Sequence, residues 1–268
     1  MLPGNAVTAA VADPATLAIE TVGPVLTVGL NRPHKRNALN DGLMAALRQC
    51  LTDLPDETRA VVIHGVGDHF SAGLDLSELR ERDATEGLVH SQTWHRVFDR
   101  IQYCRVPVIT ALKGAVIGGG LELACAAHIR VAEPSAYYAL PEGSRGIFVG
   151  GGGSVRLPRL IGVARMADMM LTGRVYSAAE GVLHGFTQYL TEGGSAFDKA
   201  MELANRVAGN APLTNFAVLQ ALPMIADAHP QTGLLMESLM ATVAQSDQEA
   251  KQRIRAFLDH KTAKVKPS

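Results

Sequence analysis

The chain has 268 residues, 47% of them apolar and 19% charged, which is enough for a large core and argues against disorder beyond the ends. A formal net charge of −1 excludes strong non-specific attraction to nucleic acid or to an anionic membrane, so any phosphate must be met by a local cluster. No apolar run reaches membrane-spanning length, and the first fifteen residues hold no Lys or Arg, so neither a secretory signal nor a transit peptide is expected.

A leader containing Pro, Ala and Gly runs to about Pro14 and is expected to be flexible. Leu17 to Glu20 and Val25 to Leu30 then read as strands around the turn signal Gly23-Pro24. A helix is predicted from Gly42 to Leu54, with Asp41 as N-cap and Leu43, Ala46, Leu47 and Leu51 on one face. Ala60 to Ile63 is a buried strand, Gln92 to Cys104 a helix, and Val106 to Leu112 a second buried strand leading to a glycine-rich turn. Short strands follow at Ile129 to Ala132 and Ala136 to Ala139.

From Ser154 the pattern turns helical, over Val155 to Ile161, Ala164 to Leu171, Ser177 to Leu183, Ala196 to Ala208, Leu213 to Ile225 and Leu234 to Phe257. Early alternation followed by helices predicts an α/β layer structure, with a core over residues 1–200 and a helical region over 201–268 that packs on itself or on a neighbouring subunit. Cys50, Cys104 and Cys125 are widely spaced in apolar or amphipathic runs and read as buried thiols of a reducing compartment, with the cytoplasm as expected location. No CxxC or Cys/His ligand spacing supports a metal site.

Three segments could carry chemistry. In His69 to Leu76, the small residues Ser71, Ala72 and Gly73 let a ligand lie against backbone, and a helix starting at Leu74 would leave its N–H free; a plain helix cap with Asp75 against the macrodipole explains the same residues. In Gly118-Gly119-Gly120-Leu121-Glu122, the glycines can expose N–H donors at a helix start, while Glu122 lies in an apolar stretch where an unpaired carboxylate is costly. In Leu140 to Gly146, Glu142 is either a second acid or an ion-pair partner of Arg145. Two carboxylates brought together on an apolar scaffold have their proton affinities pushed apart, which suits a general acid and a general base.

In order and spacing these segments resemble the crotonase, or enoyl-CoA hydratase/isomerase, superfamily from about Leu17 to Lys261. Leu30 to Asn40 is similar to that family's opening strand and coenzyme A loop, Phe70 to Leu76 to its first oxyanion loop, Gly118 to Glu122 to its second, and Pro141-Glu142 to the place of a hydratase's second acid. The resemblance implies an α/β fold, a crotonase-like spiral of repeated ββα units with C-terminal helices that build trimers or dimers of trimers. It implies an acyl-CoA substrate, oxyanion donors at the N–H groups of Leu74 and Gly119, and Glu122 and Glu142 as catalytic acids. Coenzyme A contacts are implied at Ala38, Ala72, Gly73 and Leu76, with cationic help from Lys35 or Arg36, and at Phe257 and Lys261 near the C-terminus, where His260 replaces a common lysine. Coenzyme A enters as part of the substrate, and no separate cofactor is expected.

Leu140 stands where hydratases often carry glutamine, Val149 where a proline is usual, and Gly143 and Arg145 make the loop around Glu142 atypical. The expected activity is hydration of an enoyl-CoA. Isomerisation, a hydratase-lyase reaction on an aromatic or branched acyl-CoA, and a non-catalytic acyl-CoA-binding or RNA-binding role are the alternatives.

Overall fold

β1 (Leu17–Val22) and β2 (Val25–Leu30) form an antiparallel hairpin around Gly23, whose φ of +58° glycine adopts without strain. The computed structural model describes residues 16–259 apart from Leu79, Arg80 and Arg82. The leader to Pro14 and the expected coenzyme A contact Lys261 therefore lie outside the described residues. After the hairpin come α1 (Asp41–Thr52), β3 (Ala60–Gly65) and α2 (Ala84–Gln102). Asn40, rather than Asp41, caps α1, because its side-chain oxygen accepts from the Leu43 N–H at 2.9 Å while Asp41 occupies the first helical position. The predicted face of Leu43, Ala46, Leu47 and Leu51 is buried. α2 starts well before Gln92, at a capping box in which Asp83 and Glu86 satisfy each other's backbone N–H.

Two strand–strand–helix units follow: β4 (Val108–Leu112), β5 (Ala115–Ile117) and α3 (Gly119–Ala126), then β6 (Ile129–Ala132), β7 (Tyr137–Ala139) and α4 (Gly153–Ile161). In each, the first strand joins a six-stranded sheet and the second a three-stranded one. A bridge between Ser71 and Val116 gives the β3 unit the same division. The chain thus winds as the expected spiral. Next come α5 (Val163–Thr172), β8 (Tyr176–Ser177), α6 (Ala178–Leu183) and β9 (Tyr189–Leu190). The large sheet runs β1-β2-β3-β4-β6-β9, parallel from β2 onward, and the small one β5-β7-β8.

Alternation along the central strands explains why they are apolar on both faces. Val61, Ile63, Val108 and Leu112 point into the main core with α1 and α2, whereas Val62, Ile109 and Ala111 meet Ala200, Leu203 and Ala204 of α7 (Ala196–Ala208). Residue 200, the end of the core expected from sequence, falls inside this helix. The long helix expected over Leu213 to Ile225 is divided into α8 (Pro212–Phe216), a π turn at Ala217–Ala221 and α9 (Leu222–Asp227). Pro223, which has no N–H to donate, sits in the first turn of α9, where none is needed. The next expected helix is likewise two, α10 (Pro230–Ser246) and α11 (Gln248–Leu258), the second capped by Asp247 through the N–H groups of Glu249 and Ala250. Among the described residues, no helix is long and apolar enough to cross a membrane.

Candidate active site

Leu74 and Gly119 supply the two backbone N–H groups that the sequence singled out. Leu39 pairs with Leu74 as in a parallel ladder: the Leu39 N–H donates to Gly73 O at 2.7 Å and the Asp75 N–H to Leu39 O at 2.8 Å. In such a ladder the N–H of the intervening residue points the other way, so that of Leu74 has no acceptor among the described residues. Gly119 is the first residue of α3 and so has no intrahelical acceptor either. The two segments touch: a Cβ on Gly73, whose φ is +88°, would stand 2.6 Å from Ile117 O and 3.3 Å from Gly119 N. Only glycine lets these strands approach so closely.

Glu122, one turn further along α3, is 4% exposed. Its Oε1 accepts from the N–H groups of Gly151 and Gly153, each at 2.8 Å. Burial raises its proton affinity above the ordinary carboxylate range, and the N–H groups of Gly153 and Gly151, with the positive charge of Arg156 and of a protonated His95, pull it back. Glu142, in the loop after β7, is 8% exposed and is held differently. Its Oε2 is buried and has no hydrogen-bond partner among the described residues. Burial raises its proton affinity, its own backbone N–H lowers it, the Glu122 charge raises it further, and Arg145 draws it down. Arg145 makes no ion pair with it; the bond between them is backbone, from Arg145 N–H to Glu142 O at 3.0 Å.

Both carboxyls line one cavity of about 380 Å³, together with Leu74 and Gly119. Its remaining wall includes His90, Ser91 and Trp94 of α2 and Phe148 and Val149 of the loop before α4. Trp94 is buried against Gly119, where a Cβ would lie 2.9 Å from its Cζ3.

The expected coenzyme A contacts divide. Ala38, Ala72, Gly73 and Leu76 cluster around the Leu39–Leu74 bridge: the Ala72 N–H donates to Arg36 O at 2.9 Å, and Ala38 O accepts from Arg32 Nη1 at 2.6 Å. Lys35 is engaged, with Nζ 3.1 Å from Asp75 Oδ2 and 2.8 Å from Ser77 Oγ. Arg32 lies 2.8 Å from the same Asp75 oxygen. Burial disfavours an ionised Asp75, but hydrogen bonds from Ser77, Arg32 and Lys35 outweigh it and hold the carboxyl well below the usual range. Asp75 also accepts from the Ser77 N–H at 3.1 Å, so the cap expected of it is present as well. Arg36 is exposed and has no ion pair among the described residues. Phe257, on α11, is exposed and is not among the residues that line the cavity.

Sequence reasoning missed the donors to Glu122, although the four-glycine run was visible. It missed Asn37, fully buried at φ +55°, whose amide donates to Val66 O and His69 O and accepts from the Arg32 N–H, fixing the loop that carries Ala38. The available signal was its residue type, since asparagine is one of the few non-glycine residues that adopt the αL conformation.

Residues 20–267 match the enoyl-CoA hydratase/isomerase family. The chain belongs to that family. It is 31% identical over 244 residues to a short-chain-enoyl-CoA hydratase of Clostridium acetobutylicum, covering 90% of this chain and 94% of that one. It is 33% identical over 244 residues to a 2,3-dehydroadipyl-CoA hydratase of Escherichia coli, covering 90% and 95%. A solved structure from Rhodopseudomonas palustris, provisionally described as an enoyl-CoA hydratase, shares 89% identity with a TM-score of 0.92 over 95% of this chain and 99% of its own. The enoyl-CoA hydratase of Bacillus anthracis superposes with a TM-score of 0.86 at 29% identity, over 91% and 96%. For a member of the enoyl-CoA hydratase/isomerase family, the spiral of split strand pairs is thus the fold that its solved relatives share.

Proposed function

We propose that the protein is an enoyl-CoA hydratase that adds water reversibly, with syn geometry, across the 2,3 double bond of an enoyl-CoA thioester. The observation that carries this reading is the shared cavity. Two buried acids, one whose Oε1 accepts two backbone N–H groups and one whose Oε2 has no hydrogen-bond partner among the described residues, face it together with two backbone N–H groups that have no acceptor among those residues.

The thioester oxygen would accept from Leu74 and Gly119, which draws electron density from the conjugated double bond and makes the β-carbon electrophilic. One such donor is worth about 2.7–4 kcal/mol of transition-state stabilisation in comparable sites. Glu122, whose ionised form is favoured by its two N–H bonds, takes a proton from water as the water oxygen bonds to the β-carbon. Glu142, the protonated partner in this reading, whose proton affinity burial and the Glu122 charge raise, gives its proton to the α-carbon as the enolate collapses. The proton gained by Glu122 and the one lost by Glu142 balance once the pair re-equilibrates with solvent. Dehydration runs the same steps backwards.

Coenzyme A would lie along Ala38, Ala72, Gly73 and Leu76, with Arg36 as the better placed cation because Lys35 is committed to Asp75. Phe257 and Lys261 would reach the coenzyme A of a neighbouring copy. Leu235, Leu239 and Val243 form an exposed apolar row at i, i+4 and i+8 on α10, which suits burial between copies in a trimer. Light scattering at micromolar concentration tests the trimer, and a monomer would refute it.

Incubation with crotonyl-CoA, with loss of enoyl-thioester absorbance and appearance of 3-hydroxyacyl-CoA by mass spectrometry, tests the activity. Double-bond migration from a 3-enoyl-CoA with no hydroxyacyl product would replace hydration by isomerisation.

A further inference from the structure

Gly150 to Gly153 form the turn that holds Glu122, and glycines carry no side chain with which to fix themselves. Their position is set from outside. Ser91, His95, Asp99 and Gln102 lie on one stripe of α2, at i, i+4, i+8 and i+11, and face this turn. The Ser91 hydroxyl donates to Gly150 O at 2.7 Å. Arg156, from the first turns of α4, folds back so that Nη1 donates to Gly151 O at 3.0 Å, Nη2 to Asp99 Oδ1 at 2.6 Å and Nε to Gln102 Oε1 at 2.6 Å. Its side chain is only 9% exposed. Gly152, at φ +95°, makes room for it, since a Cβ there would run into the guanidinium.

The geometry points to Arg156 as a positioning residue for the general base: by tying the Gly151 carbonyl to α2, it aims the N–H groups of Gly151 and Gly153 at Glu122. A planar fork with five donors suits this task, because one cation engages three acceptors on two elements at once. The inference rests on the hydratase reading, in which Glu122 must be ionised to take a proton. The titratable and charged groups around Glu122 are Arg156 of α4, His95 of α2 and Glu142 across the cavity, with the Cys125 thiol of its own helix pushed up to about 12 by burial and so uncharged. Asp99, on the far side of Arg156, is half exposed. Without Arg156, Glu122 loses both a fixed pair of donors and the nearest permanent positive charge, and each loss raises its proton affinity.

The test compares Arg156→Gln and Arg156→Lys with wild type, using the pH profile of kcat/KM together with the kcat and KM values. Arg156→Gln is expected to lower kcat roughly 10- to 100-fold with KM little changed, and to move the acid limb of the profile to higher pH. Arg156→Lys keeps the charge without the fork, so it is expected to return the limb toward its wild-type position while restoring only part of kcat. A folded Arg156→Gln whose acid limb stays at the wild-type pH overturns the inference, as does a rise in KM alone. Should Arg156→Gln not fold, Asp99→Asn and Ser91→Ala loosen the same turn from α2. A smaller limb shift in Asp99→Asn supports the inference, and an unmoved limb in both overturns it. Carboxylate infrared titration, with Glu122 assigned from Glu122→Gln, reads the same shift without turnover. An absent hydratase activity is thereby distinguished from an absent Arg156 effect.

Discussion

The two ends of the cavity that Glu122 and Glu142 share are built on opposite plans. At the Glu122 end, a rigid helix start, a glycine turn and a guanidinium converge on one carboxylate, whose Oε1 takes two backbone hydrogen bonds. At the Glu142 end, the carboxyl comes from a loop, presses one oxygen against Gly118 and leaves the other without a donor among the described residues. Burial alone raises the proton affinity of both acids, so it cannot assign their roles. What separates them is the supply of donors. Hydrogen bonds to the ionised form favour a base, and their lack favours an acid that keeps its proton.

The largest expected effect comes from erasing either end. Glu122→Gln and Glu142→Gln should each lower kcat for hydration by about 10²–10⁴ while acyl-CoA is still bound, checked by steady-state assay and calorimetric titration. Near-normal turnover in either variant would remove that residue from the mechanism. A more selective perturbation adds one methyl group. A Cβ on Gly118 would stand 2.6 Å from Glu142 Oε1, and one on Gly153 would stand 2.7 Å from Glu122 Cγ. Gly118→Ala should therefore displace the acid and Gly153→Ala the base, each at a cost of about 10²-fold in kcat. Equal and unchanged kcat in both variants would show that the carboxyl positions are not critical.

Much of this arrangement is visible in the sequence, for identifiable reasons. α7 spans the predicted Ala196 to Ala208, because its small and apolar residues recur at helical spacing and nothing in its interior competes. Glu122 and Glu142 stand out because an acid inside an apolar run requires an explanation. The early start of α2 was legible only through Asp83 and Glu86, since the polar stretch and Gly87 that follow obscure the periodicity. The donors to Glu122 lie 29 and 31 positions away and belong to residues without side chains, so only the spiral brings them to it. The grip of Arg156 on Asp99 spans 57 positions, and an exposed surface ion pair would look the same in the sequence. Short β5, β8 and β9 escaped notice because two or three residues carry no period.

The contrast also has a smaller effect, on stability. A group whose proton affinity is raised on folding adds stability below its unfolded pKa and loses it as pH rises through the folded one. Glu142, having no donor at Oε2 among the described residues, should show this more clearly than Glu122. Glu142→Gln is expected to be more stable than wild type by about 0.5–2 kcal/mol at pH 8, with the gain vanishing near pH 4, where the native carboxyl is already protonated. Urea unfolding at the two pH values measures this. A gain that grows toward acid pH would contradict the assignment of Glu142 as the protonated partner.

The opposed roles of the two acids are tested most directly by the pH dependence of kcat/KM for crotonyl-CoA hydration in wild type, Glu122→Gln and Glu142→Gln. Wild type should give a bell, Glu122→Gln should lose its acid limb and keep the alkaline one, and Glu142→Gln should do the reverse. Loss of the acid limb in Glu142→Gln, with the alkaline limb intact, would exchange the base and the acid and contradict this assignment.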